Sequence, residues 1–328
     1  MKNTRGRKKG ADILDADTQC LNITLRCSLK EVDICAKLLK PRHVARVRSV
    51  GFGSIFDWKV KANISRPLMG VLYLKIDPET MTLDMGQSNK KLRITSDGMQ
   101  LLFGFPRGNR TPPRPSEDGY DDAVMRLKSE LGISRSDDIK TRDLRIALTH
   151  LVNDEEKDDL ALRVFFIILF MKVVLPGTAT RVSREAAMFE NLVIEDMADM
   201  DYCQLMVDEL RRAVVRYQDG VTLGKAITGC SIAPVLMYLD CLIRGKVAEV
   251  DMRMPRLCFM NQEKLSDLVE VDLISRGNAD PRTWVFGKLP VSFFIDVFCC
   301  YNISTTILTC LFYAVSGKHW LKWFFPCL

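Results

Sequence analysis

Eleven cysteines and three histidines are the softest chemical groups in this 328-residue sequence, and their spacing limits what they could do. A structural zinc ion takes four Cys or His ligands, usually supplied as close pairs. His43, His150 and His319 are far apart, and none has a cysteine at metal spacing. No CxxC pair occurs; Cys20, Cys27 and Cys35 are widely and evenly spread, and Cys299 and Cys300 are adjacent. The sequence therefore predicts no zinc site. A Cys–His hydrolase needs a nucleophile, a base and an orienting acid, which need not be close in sequence. No cysteine here stands in the context of a known nucleophile. GVTLGKA at 220–226 resembles a phosphate loop, but Gly220 and Gly224 are one residue too close. Ala226 also stands where a Ser or Thr would ligate magnesium. Gly51-Phe52-Gly53 lacks the third glycine and the preceding strand of a dinucleotide loop. EDMADMD at 195–201 gathers Glu195, Asp196, Asp199 and Asp201, an oxygen-rich set of the kind that holds calcium or magnesium. Acids also belong at the start of the helix that follows, where the helix dipole favours them. That second reading is the expectation. No catalytic residue, cofactor site or metal site is predicted, and the reading is non-enzymatic.

Cations offer a different chemistry. The formal net charge is +6. One cluster lies at the N-terminus, at Lys2, Arg5, Arg7, Lys8 and Lys9. Such a cluster reads either as a nuclear-import or nucleic-acid arm or as a solvated tail. A second basic stretch, PRGNRTPPRP, carries Arg107, Arg110 and Arg114. The candidate contact residues for a nucleic acid are thus Arg5, Arg7, Lys8, Lys9, Arg107, Arg110 and Arg114.

The elements that would position these groups are mostly helical. Hydrophobic residues make up 47% of the chain and charged residues 27%, the balance of a folded protein. From Leu38 to about Trp58, Val44, Val47, Phe52, Ile55 and Phe56 can share one helical face, with Gly51 and Gly53 as interruptions. A short helix is expected over 68–76. MTLDM and KLRIT then alternate apolar and polar residues around a turn, which predicts a small β-hairpin near 81–95. Thr95 or Ser96 caps a helix that Pro106 stops. The stretch 106–122 carries few apolar side chains and reads as a mobile loop or linker. Helices are expected over 121–131 and 141–152. Another starts at Asn153 and runs through LRVFFIILFMKVV to Pro176, too short to span a bilayer, which takes about 20 apolar residues. DYCQLMVDELRRAVVRYQ is amphipathic, and Asp208 and Arg212 are spaced for an i,i+4 pair. GCSIAPVLMYLDCL is its buried partner helix, with Cys230 and Cys241 as core thiols. The fold class is mainly α with one small hairpin. The expected organisation is a loose basic segment at 1–37, helices and hairpin at 38–105, and a Pro/Arg-rich linker at 106–120. A helical domain follows at 121–288, then a hydrophobic tail at 289–328.

Several stretches carry a resemblance: RSVGFGSIFDW, IDPETMTLDMG, LLFGFPRG, GCSIAPVLMYLD, RMPRLCF and WVFG, in that order. The order is similar to that of transposon-derived proteins abundant in grass genomes, including those known as aminotransferase-like plant mobile domain proteins and those with a SUMO-type protease domain further downstream. The corresponding residues are Gly104 to Gly108, Gly229-Cys230, Tyr238 to Asp240, Pro255-Arg256 and Phe286-Gly287. Cys258 departs from the pattern, standing near an expected aromatic. The resemblance covers about residues 40–288. It implies a transposon-associated helical domain of unestablished biochemistry. It carries over neither a transaminase, which needs a Schiff-base lysine in a large α/β fold, nor the protease, which would lie downstream.

Beyond Lys288 the resemblance stops. Residues 291–315 are apolar and long enough to span a bilayer, and Lys318, Trp320, Lys322 and Trp323 could anchor an interface. Asp296 and Asn302 are costly at that depth. The alternatives are a membrane anchor, a packed element, and translated non-coding sequence. The leading functional reading is a non-enzymatic interaction domain with an unidentified protein partner and no cofactor. Its alternatives are a C-terminally anchored membrane protein and a nucleic-acid-binding accessory protein. Localisation follows the tail: membrane if it is an anchor, nucleus or cytoplasm if it is not coding sequence.

Overall fold

The computed structural model describes residues 24–62, 64–84, 91–113, 117–177, 181–182, 193–220, 226–242, 253–274 and 285–289. It is mainly α. In chain order come β1 (Thr24–Leu25), α1 (Leu29–Ala36), α2 (Pro41–Ser49), a 3-10 turn (Gly53–Asp57), α3 (Arg66–Lys75), β2 (Ile76–Asp77), β3 (Thr82–Asp84) and β4 (Lys91–Arg93). Then follow α4 (Ser96–Phe103), α5 (Glu117–Leu131), α6 (Thr141–Leu151), a 3-10 turn (Glu155–Lys157), α7 (Asp158–Leu169) and a π turn (Phe170–Val174). The rest are a 3-10 turn (Ile194–Asp199), α8 (Tyr202–Gln218), β5 (Ala226–Ile227), α9 (Ile232–Asp240), a 3-10 turn (Arg256–Cys258), α10 (Gln262–Asp272), β6 (Leu273–Ile274) and β7 (Val285–Phe286).

Helix starts follow capping chemistry, in which a side-chain oxygen satisfies an orphan amide of the first turn. Ser28 accepts from Glu31 N, Ser65 from Leu68 N, Thr95 from Gly98 N, and Asn261 from Lys264 N. Asp201 accepts from Gln204 N at 2.7 Å and opens α8. The cap near Asn153 belongs instead to Asp154, which accepts from Glu156 N. The helix expected from Leu38 to Trp58 divides, because Gly51 turns left-handed between α2 and the 3-10 turn. α4 ends at Gly104, which takes φ 72°, so the stop comes before Pro106. The hairpin of β3 and β4 pairs Leu83 with Leu92, both buried. It gains a third antiparallel strand, β2, because the chain leaves α3 extended and turns straight back. Asp77 holds that turn by accepting from Thr80 Oγ1 at 2.6 Å and Glu79 N at 2.9 Å. β1 and β5 pair in parallel, and β6 pairs antiparallel with β7.

Of the expected linker at 106–120, the described part before residue 114 is tied to the rest of the fold. Gly108 N donates to Met200 O, Arg110 N to Asp199 O, and Asp201 N to Arg110 O. Pro106 and Pro112 are buried, and residues 117–120 already belong to α5. Composition missed this because the segment is held by backbone groups meeting another loop, not by apolar side chains. Gly108 permits the approach: a Cβ there would collide with the Asp199 carbonyl.

One core joins both sides of that segment. Phe52 lies 4.9 Å from Phe105, 5.4 Å from Phe166 and 5.1 Å from Tyr202, ring centre to ring centre. Such tilted and edge-on pairs are the favourable aromatic geometry. α7 is buried on every side from Val164 to Leu169. Among the described residues no helix is long and apolar enough to cross a membrane. The apolar run 291–315 and the rest of the tail beyond Leu289 lie outside the described residues.

Candidate functional site

Several of the residues singled out by their order in the sequence meet one another in space. Arg256 grips Asp240 with both prongs of its guanidinium: Nε to Oδ2 at 2.8 Å and Nη2 to Oδ1 at 2.7 Å. The two side chains are 7% and 9% exposed. Arg256 Nη1 also donates to Arg253 O. Gly104 lies against Pro255 so closely that a Cβ would strike the proline ring. The backbone and side chain of Pro255-Arg256 are thus fixed from two sides, by α4 and by the end of α9.

A second latch lies beside it. Asp272 is fully buried. Its carboxylate accepts from Tyr238 Oη at 2.7 Å, Gly287 N at 3.1 Å and Leu289 N at 2.8 Å. A buried carboxylate is tolerable only when its lone pairs are met in this way. Burial, then the Asp272 partner, raises the Tyr238 hydroxyl pKa far above its usual value. Tyr238 is therefore a donor to Asp272, not an acid for chemistry. Asp272 fastens the segment 285–289 to α9 and α10.

A third constellation joins α2 to α7. His43 is fully buried. Its Nδ1 accepts from Lys40 N at 3.2 Å, which leaves Nε2 to donate to Asp158 Oδ1 at 2.8 Å. Arg42 Nε donates to Asp158 Oδ2 at 2.7 Å, and its Nη2 to Val152 O. Arg46 pairs with Asp159 and with Glu195. The Arg42 hydrogen bond holds the Asp158 carboxyl below its usual pKa, with His43 adding to the effect against a small burial penalty. A His–Asp pair resembles part of a catalytic triad, but both ring nitrogens of His43 are engaged within the fold. Its role is to seat one helix on another.

Of the candidate nucleic-acid residues, the two that are described each meet a carboxylate. Arg107 pairs with Asp97, and Arg110 approaches Asp196 at 3.9 Å. Arg5, Arg7, Lys8, Lys9 and Arg114 lie outside the described residues. Three of the four acids of 195–201 take separate tasks: Glu195 on Arg46, Asp196 near Arg110, and Asp201 at the α8 cap. Arg212 pairs with Glu209 at 2.6 Å, one position from the Asp208 expected. Among the described residues no group of His, Cys, Asp and Glu could hold a metal ion. Cys230 and Cys241 are core thiols, as are Cys27, Cys35, Cys203 and Cys258. Burial pushes the thiol of Cys35 up to about 12 and that of Cys258 up to about 11. Neither is a thiolate at neutral pH, so neither is an activated nucleophile. Sequence spacing carries no sign of the Asp240–Arg256, His43–Asp158 and Asp272 contacts, which join residues far apart along the chain.

A family model described as a domain of unknown function, DUF8566, matches residues 25–235. No curated protein and no solved structure matches the chain.

Proposed function

The chain belongs to the DUF8566 family, and from that premise we propose that it is a non-enzymatic interaction domain within a transposon-derived helical protein. One observation carries the first part. The polar residues of the ordered motifs, Tyr238, Asp240 and Arg256, are engaged in latches inside the fold. Motifs of that kind maintain a shape, and a maintained shape is what a binding surface requires. The transposon origin is supported by the order of motifs from the GFG at 51–53 to the FG at 286–287. The test isolates the intact protein from its own cells and reconstitutes each co-purifying protein with pure chain. A one-to-one complex on size exclusion is the expected result. Turnover of any ester, peptide or nucleotide substrate by the pure protein overturns the reading.

The apolar run 291–315 favours a second reading, a C-terminal membrane anchor presenting this domain. A full-length transcript read across the Lys288 codon decides whether the tail is coding sequence, and tail-dependent recovery in the membrane fraction decides whether it anchors. Nucleic-acid binding rests on the N-terminal cluster, since Arg107 and Arg110 face carboxylates; deleting residues 1–10 would abolish a steeply salt-dependent affinity.

A further inference from the structure

Four charged residues from four separate elements converge beside the start of α1. Arg26 follows β1, Glu31 lies in α1, Arg145 in α6, and Lys172 in the π turn after α7. Ser28 N donates to Lys172 O at 2.9 Å, which ties the π turn to the α1 cap. Arg145 Nη1 donates to Glu31 Oε1 at 2.9 Å. Glu31 is the carboxylate of the group, and it is already committed. Among the described residues, three cations less one carboxylate leave an excess of two positive charges.

Lys172 is half-buried, and it is the one charged residue in the apolar stretch Val164–Leu175. Burial pushes its ammonium pKa below the usual value; Glu31 opposes this and Arg26 adds to it. Among the described residues no hydrogen bond or ion pair reaches Lys172 Nζ. The buried Nε of Arg26 has no hydrogen-bond partner among the described residues. A merely solvated basic face would expose its guanidinium edges to water, whereas cations drawn into a fold are ordinarily paired. A π turn widens the helix by one residue and recurs at functional positions. The Arg26 charge is felt at the Lys172 ammonium.

We propose that Arg26, Lys172 and Arg145 form a binding site for a phosphate group. A phosphate group carries about −1.5 to −2 charges at neutral pH, which matches the excess of two positive charges. A guanidinium offers it a planar two-pronged contact and an ammonium a point charge. The phosphate comes either from a free anion or from a phosphorylated side chain of a partner. This site stands independently of the interaction reading.

The test uses the full chain at constant ionic strength. Inorganic phosphate is expected to raise the melting temperature saturably, whereas chloride does not. Lys172→Met and Arg26→Met keep the apolar stems and are expected to weaken phosphate binding at least tenfold; Lys172→Arg retains it. A phosphoserine peptide bound tenfold more tightly than its unphosphorylated twin identifies a partner's side chain as the source. Binding of inorganic phosphate alone identifies a free anion. A second measurement needs no variant. Acylation of Lys172 by an amine-reactive reagent, mapped by mass spectrometry, should slow at least tenfold under saturating phosphate. Unslowed acylation, a non-saturating thermal response, or equal phosphate binding by both methionine variants overturns the site.

Discussion

A guanidinium and a carboxylate taken out of water each lose several kcal/mol of hydration, and only good geometry recovers it. Asp240 and Arg256 have that geometry, with two parallel bonds under 3 Å. Removing one partner leaves the other charged, buried and alone. Asp240→Ala is therefore expected to lower unfolding free energy by about 3–5 kcal/mol. Asp240→Leu combined with Arg256→Met should cost less than Asp240→Ala alone, because no charge is left behind. Denaturant unfolding of the three proteins checks this, and a double variant that loses as much as Asp240→Ala or more would reject the pairing. At this scale the sequence is legible in part. Asp77 and Thr80 are close enough for their turn to be read from spacing alone. Asp240 and Arg256 stand out as motif letters, but nothing in a separation of 16 positions says that they touch. The buried histidine is harder still, since its partner Asp158 is 115 positions away.

Helices are the more readable units, because caps and periodic faces are local signals. Thr95, Asp201 and the amphipathic stripe of α8 all stand out in the sequence through their own spacing. The parallel pair of β1 and β5 does not, since two residues on each side carry no pattern and their pairing is set by distant packing. The seam between α2 and α7 governs the acid response. The groups facing Asp158 are Arg42 and His43 from α2, with Glu155 on the far side of Arg42. Its folded pKa lies below the ordinary 3.8. The contribution is therefore fully present above about pH 4 and lost as pH falls through the lower folded value. Asp33 and Glu195 are depressed too, by Lys37 and Lys61 and by Arg46, each against some burial. Stability is expected to fall steeply below about pH 4. Asp158→Asn should be less stable at pH 7 and show a shallower acid limb, in thermal scans from pH 2 to 7. An unchanged limb would remove the seam from the account.

For the molecule as a whole, the core decides what opens last. α7 has no polar side among its last six residues, and the aromatic group of Phe52, Phe166, Phe170 and Tyr202 closes round it. Each phenylalanine so buried contributes roughly 1.5–3 kcal/mol. Native-state hydrogen exchange should find the amides of Val164–Leu169 the slowest, opening only with global unfolding. Faster exchange there than in α5 would contradict a single core. The apolar run that encodes α7 is legible as a buried helix. The unity of the core is not, because the Pro- and Arg-rich segment between its halves looks like a boundary in composition.

The π turn has a consequence for chain length. Leu175 N reaches back to Phe170 O at 2.7 Å, five residues, so this turn carries one residue more than an α-helix would. Surplus of that kind is removable in principle. Deleting Met171 would let the backbone close in ordinary α-helical phase, with the residues after the turn keeping nearly their directions and Lys172 moving round by about 100° into the place of Met171. The helix would survive the loss, but its single lysine would face another direction.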